Sequence, residues 1–434
     1  DFKDLGSYYI KSDAGESYEF EISEDPYADM YKDTVLMLYR QRCGVEIKDD
    51  PEGFDHPACH LGDDGLARIY DTDDLIDVIG GWHDAGDYGR YVVSGAKAVE
   101  DLLLAYEDYG ITDDEIGIPE SGNGIPDFLD EARFEIEWML KMQDEKSGGV
   151  YHKVTCLTFP ETVMPQDETD ELIVAPISDT ATADFAAICA KASGLYREID
   201  KEFAGKCKKA ALKAWDYLMS KETYSGYKNP KDIVTGEYPD TILDDEIMWA
   251  AVCLDKYAGE QIEIAPYMTD RVKMVLGWAN MGGYAYYELA NSDLSESETA
   301  KGEITDYCDE QKAKSDEDMY KVTLERNYVW GSNMSIANAG ELFYMAYNLT
   351  GNEDYKICGK YQLDYLLGAN SMALCFVTGY GEYTPSRPHH RPSQVLGKCM
   401  PGMLVGGANA NLEDPYAKAV LYDQVEPRRY RSEE

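Results

Sequence analysis

Positive charge is scarce in this chain. It has 40 Lys and Arg against 83 Asp and Glu over 434 residues, a formal net charge of −43. Such a field repels phosphate backbones and anionic lipid, which excludes nucleic acid and membrane surfaces as partners, while a neutral polymer is indifferent to it. Long apolar runs are missing too. No stretch approaches the roughly 18 apolar residues of a membrane span. The opening DFKDLGSYYIKSD lacks the pattern of a secretion signal, so location has to be inferred from function. There is no short-period repeat and no linker-like composition. The ten cysteines are scattered, unlike a small disulfide scaffold, and most read as buried thiols. Histidine is rare, at six residues.

What is present is helical text. Hydrophobic residues make up 44% of the chain, enough for a large core. The length exceeds the roughly 250–300 residues a single core usually supports, so one large closed architecture or several domains are expected. Residues 6–21 alternate around Asp13-Ala14-Gly15 and read as a short hairpin. Apolar residues then recur at helical spacing over 25–41, 96–109, 125–142, 180–196, 201–219, 244–257, 268–279, 334–349 and 354–367. Two long connections, 148–178 and 293–327, separate them. Segment 294–319, rich in Ser, Asp, Glu and Lys, reads as a solvated excursion.

Five of the six histidines gather in two regions, His56, His60 and His83 over 56–83 and His389 and His390 side by side, and each region carries a motif. The first is Trp82-His83-Asp84-Ala85-Gly86-Asp87-Tyr88. Gly86 permits a tight bend that turns Asp84 and Asp87 toward one volume. One carboxylate could take a proton from water while the other holds that water; the same spacing also serves an Asx turn or a calcium loop. The second is Ser386-Arg387-Pro388-His389-His390-Arg391-Pro392, where two prolines stiffen a cluster of donors. Cys43, Cys59, His60 and His83 form a Cys₂His₂ set, which zinc prefers, though two buried thiols and two ordinary histidines would read the same way. Trp82, Tyr88, Tyr328, Trp330 and Tyr380 are candidate stacking platforms or core residues, and His152, in a loop, is either a ligand contact or an ordinary histidine.

These segments resemble glycoside hydrolase family nine, the inverting cellulases. GGWHDAGDYGRYV resembles that family's base-bearing loop and FVTGYGEYTPSRPHHRPS its histidine signature. PGMLVGGANANLEDPY, YLLGAN, PESGNGIPDFLDEARFEIEWMLKMQ and TATADFAA are similar to further family blocks, in the same order from about residue 25 to the end. The resemblance implies an all-α fold, an (α/α)₆ barrel, over residues 23–434. It implies that residues 1–22 are a β segment, the tail of or linker from a preceding immunoglobulin-like domain. It further implies hydrolysis of internal β-1,4-glucosidic bonds in cellulose and related β-glucans, with Asp87 as general base and Asp84 as its helper. His389 and Arg391 would grip sugar hydroxyls. Independently of the resemblance, His152, Trp330, Tyr328 and Trp82 are further candidates for sugar contact, each of which could equally be an ordinary buried residue. Zinc would be held by Cys43, Cys59, His60 and His83, and calcium by Asp245 and Glu246. The family's acid falls on Glu434, with Glu433 in place of the usual asparagine. A terminal residue is well solvated, which works against the raised pKa a general acid needs. The chain therefore reads as truncated, with the final barrel helix absent. Secretion and a monomeric state are expected from the substrate class. The competing readings are an exo-acting β-glycosidase of cellobiohydrolase or glucosaminidase type, a non-catalytic glucan-binding remnant, and a hydrolase in which the Cys₂His₂ metal is catalytic.

Overall fold

A computed structural model describes residues 2–62, 65–412, 415–428 and 430. Its helices are α1 Ala28–Arg40, α2 Val92–Tyr109, α3 Asp127–Lys141, α4 Asp179–Leu195, α5 Lys201–Met219, α6 Asp244–Lys256, α7 Gly282–Ala290, α8 Ser297–Glu317, α9 Ser332–Thr350, α10 Glu353–Leu366, α11 Arg391–Leu396 and α12 Pro415–Leu421. Local chemistry sets many of the ends. Ser178 caps α4 by accepting from Ala181 N, and Asp200 caps α5 by accepting from Glu202 N and Phe203 N. Gly351, at φ +68°, closes α9 in the left-handed conformation glycine tolerates.

Burial sorts the helices into two layers. In α4 every residue from Asp179 to Ser193 is buried, and α6 is buried from Asp245 to Leu254. Helices buried on every face belong to the inner layer. α4 packs on α2, α5 and α6; α6 on α7; α7 on α8 and α9; α9 on α10; and α2 on α3. Amphipathic α3, α5, α8 and α10 form the outer layer, giving the (α/α)₆ barrel.

Three expectations are corrected. Segment 294–319 is no solvated excursion: it contains α8, whose stripe of Ala300, Ile304, Cys308, Gln311 and Ser315 is buried. The stripe is too narrow and polar to stand out from a charged composition. Residues 268–279 are not a helix. They form turns closed by the Gly277–Asn280 bridge, and Val272 and Leu276 bury their side chains from irregular backbone that mimics a helical stripe. The 148–178 connection carries strands. Lys153–Thr155 and Ile173–Val174 join Leu66–Ile69, Leu75–Asp77 and Arg90–Tyr91 in a five-stranded sheet. Val150–Tyr151 pairs separately with Ile177–Ser178. Strands of two to four residues are too short for an alternating pattern to register.

These sheets gather at one end of the barrel, where Tyr91 leads into α2 and Ser178 into α4. Residues 6–22 form two small antiparallel pairs, Gly6–Tyr8 with Phe20–Ile22 and Lys11–Ser12 with Gly15–Glu16, largely exposed.

Candidate active site and metal centre

The bend at 80–91 is built by its neighbours. Cys43 N donates to Gly81 O (2.8 Å) and His83 N to Gln41 O (2.8 Å), so the end of α1 runs beside the bend as a short β bridge. Trp82 is anchored on α3: its amide donates to Glu135 Oε2 (2.6 Å) and its indole to Glu131 Oε2 (3.1 Å). Asp84 N donates to Gly89 O (2.9 Å) and closes the loop, after which Arg90–Tyr91 pairs with Lys153–Thr155.

Both aspartates are held by donors. Asp84 accepts from Ser94 Oγ (2.8 Å) at Oδ1 and from Tyr238 OH at Oδ2. Asp87 accepts at Oδ2 from Gly89 N (3.1 Å) and Tyr91 OH (3.1 Å). Burial, then the charge of Asp87, pushes the Asp84 carboxyl up to about 7, against the Tyr238 and Ser94 hydrogen bonds. Burial raises Asp87 as well, opposed by the Gly89 amide, Tyr91 and the Arg391 charge. Carboxylates raised above their ordinary range are stronger bases, which suits proton abstraction from water.

The second motif lies against the first. A Cβ on Gly86 would sit 2.1 Å from His389 O, a separation only glycine permits. Arg391 Nη1 donates to Gly86 O; Nη2 donates to Pro160 O (2.8 Å) and Nε to Glu161 O (3.0 Å). His390 Nε2 pairs with Gln41 Oε1 (3.1 Å), and Gln41 Nε2 donates to His83 O and Ala85 O (3.3 Å each). His389 is exposed beside this contact. The two motifs expected to share a cleft are therefore neighbours, and Arg391 spends donors on backbone carbonyls as a clamp.

Most of the other expected subsite residues are turned into the protein. The His152 ring stacks on Tyr227 at 3.5 Å, with Nδ1 paired to Ser178 Oγ (2.9 Å) and Nε2 to Glu237 O (3.1 Å), so both nitrogens are taken inside the protein. Tyr328 is 3% exposed, in a cluster with Val322, Ile336 and Phe376. Trp82 is 6% exposed in the main core. Tyr88 is buried with its hydroxyl donating to Val163 O (2.6 Å), and Tyr380 donates to Asp33 Oδ2 (2.5 Å). Trp330 is 59% exposed. Glu434 lies outside the described residues. Sequence reasoning missed Tyr238, Tyr91 and Ser94 around the aspartates, and half-buried Trp278, which meets Tyr238 edge-on at 5.0 Å. Tyr238 is held at φ +46°, an uncommon backbone conformation for an aromatic residue.

Beside the bend, ligand atoms of Cys43, Cys59, His60 and His83 lie within 4.8 Å of one another, all buried. Cys59 Sγ is 4.0 Å from Cys43 Sγ and 3.6 Å from His83 Nε2. Such separations match the edges of a tetrahedron with Zn–S bonds of about 2.3 Å and Zn–N bonds of about 2.0 Å. Four protein ligands fit a closed, structural site. The expected calcium pair, Asp245 and Glu246 at the start of α6, has company in Asp184 and Asp240. Asp184 Oδ1 and Oδ2, Asp240 Oδ2, and Glu246 Oε1 and Oε2 are buried without a partner. Buried carboxylate oxygens in this state are the donor set a hard cation takes.

The family model described as "Glycosyl hydrolase family 9" matches residues 27–430. A cellodextrinase of Butyrivibrio fibrisolvens is 33% identical, over 98% of this chain and 82% of its own length. Endoglucanase D of Acetivibrio thermocellus is 32% identical, over 93% and 67%. Among solved structures, a single mutant of a thermostable endoglucanase from Alicyclobacillus acidocaldarius superimposes with a TM-score of 0.91 at 32% identity, over 99% of this chain and 84% of that one. With a match that spans both aspartates, the histidine loop and the barrel between them, the chain belongs to glycosyl hydrolase family 9.

Proposed function

We propose that this family 9 glycoside hydrolase cleaves internal β-1,4-glucosidic bonds of cellulose and related β-glucans by a single inverting displacement. Asp87 acts as general base and Asp84 holds the attacking water with it. The observation that carries this reading is the pair itself: two carboxylates on one bend, each held by donors and each raised by burial above the ordinary carboxylate range, beside the His389–Arg391 loop. Glu434 takes the acid's role from the family resemblance, roughly 6.5–9.5 Å from the base in an inverting enzyme, leaving room for the water. His389, Trp330 and Trp278 are the side chains available to sugar, with Arg391 fixing the loop that carries His389. Zinc at Cys43, Cys59, His60 and His83 supplies a structural clamp beside Asp84, and calcium at Asp184, Asp240, Asp245 and Glu246 neutralises the start of α6. The protein acts outside the cell as a monomer, and residues 1–22 lead from an immunoglobulin-like domain.

The test is Asp87→Asn. Removal of a general base should lower kcat on a soluble β-glucan by about 10²–10⁴-fold while cello-oligosaccharide affinity stays unchanged; wild-type turnover in this variant removes Asp87 from the chemistry. On a soluble cellulose derivative, internal cutting makes viscosity fall well before much reducing sugar is released. A proportional, slow fall would favour the exo-acting alternative.

A further inference from the structure

We propose that Glu168 orients His60 for metal binding, and that through this contact the metal centre fixes the segment 160–168 against which Arg391 is clamped. This inference rests on the zinc reading above. Cys59 and His60 are adjacent, and neighbouring side chains on extended backbone point to opposite sides. His60 escapes this by adopting φ +51°. Its Nε2 pairs with Glu168 Oε2 at 2.9 Å, with both side chains nearly inaccessible. Its Nδ1 is buried and has no partner. A ring nitrogen bonded to a carboxylate carries the proton, so the lone pair is left on Nδ1, in the cluster formed with Cys43, Cys59 and His83. The geometry is that of a carboxylate–histidine–metal relay. Among the described residues His60 is the one ion-pair partner of Glu168. Among those residues no lysine or arginine forms an ion pair with the carboxylate.

Glu168 follows the 3₁₀ turn Pro165–Asp167. The stretch just before it is tied to the catalytic bend twice. Tyr88 OH donates to Val163 O, and Arg391 bridges Pro160 O and Glu161 O to Gly86 O. The Tyr88 ring also meets the His83 ring edge-on at 4.9 Å. A continuous chain of contacts therefore runs from the metal ligands through His60 and Glu168 to the segment that holds Arg391 against Gly86, next to the base. Residues 160–168 lack strand pairing, so these side-chain ties, together with the burial of Met164 and Pro165, hold them.

The experiment uses the full chain as Glu168→Ala and Glu168→Gln, with zinc affinity read by competition against a chromogenic chelator. Loss of a carboxylate behind a ligating histidine typically weakens metal binding about 10–100-fold. Glu168→Ala should fall in that range. Glu168→Gln, which keeps an acceptor but loses the charge, should fall less. Hydrogen exchange should show residues 157–168 losing protection in Glu168→Ala while α4 and α6 keep theirs. Wild-type protein that binds one zinc, with Glu168→Ala binding it within threefold, overturns the orienting role. Unchanged protection of 157–168 in a variant that has lost zinc affinity overturns the coupling. Wild-type protein that takes up no zinc overturns the zinc reading itself, a distinct result that takes this inference with it.

Discussion

Gly86 is the residue on which the site's geometry turns. The His389 carbonyl occupies the space where a methyl group would project, 2.1 Å from an added Cβ. Gly86→Ala must therefore push the bend from the histidine loop and displace Asp87, one residue away. Forced overpacking costs about 1–3 kcal/mol, and a reacting group displaced by an ångström can lose roughly 100-fold in rate. The expected result is a lower urea midpoint together with a fall in kcat of at least about tenfold; a variant with wild-type kcat would show that the contact does not position the base. Much at this scale was legible beforehand. Two aspartates around a glycine, and a histidine cluster stiffened by prolines, are readable because their meaning is local. Tyr238 was not: it reaches Asp84 across 154 residues, and nothing in Glu237-Tyr238-Pro239 sets it apart from 34 other tyrosines. That His152, Tyr328 and Trp82 are buried was hidden for the same reason. An aromatic ring in a loop can face solvent or core, and sequence does not say which.

At the scale of elements, long inner helices were readable from periodicity and the small sheets were not. Lys153–Thr155 finds its partners at Arg90–Tyr91 and Ile173–Val174, and pairing at that distance leaves no pattern in two or three residues. The inner layer also contains something composition cannot reveal. Lys191 of α4, fully buried, reaches Glu100 of α2 (2.7 Å) and Glu288 of α7 (2.5 Å), and Lys256 of α6 meets Glu288 at 2.6 Å. One ion cluster joins four inner helices. Lys191→Met leaves two buried carboxylates with too little compensating charge, which typically costs about 3–5 kcal/mol. Equilibrium denaturation should show a loss of that size. A change below about 1 kcal/mol would mean that the carboxylates simply take up protons and the cluster contributes little.

For the whole molecule, the charge balance that excludes polyanions also sets its pH dependence. Around the start of α6, burial raises Asp245 from an ordinary 3.8 to about 6, with the Asp240 charge acting in the same direction, and burial raises Asp184 and Glu246 well above their ordinary values too. Between pH 4 and 6 the folded protein thus keeps protons that the unfolded chain has released, so the metal-free protein loses stability as pH rises through that window. Calcium would replace those protons. Thermal scans of chelated protein should show a larger gain in Tm on adding calcium at pH 7 than at pH 4.5; an equal gain at both, or none, would remove the cation from this site. The family's barrel and its order of motifs were legible because the matching blocks span nearly the whole chain. The acid's surroundings were not, since Glu434 lies outside the described residues. The most direct test of the central claim is therefore stereochemical. Proton NMR during the first minutes of hydrolysis of a cello-oligosaccharide reads the anomer released before mutarotation. Single displacement by an Asp87-activated water predicts that the new reducing end appears first as the α-anomer; first appearance of the β-anomer would mean a covalent double displacement and would contradict the roles given to Asp84 and Asp87.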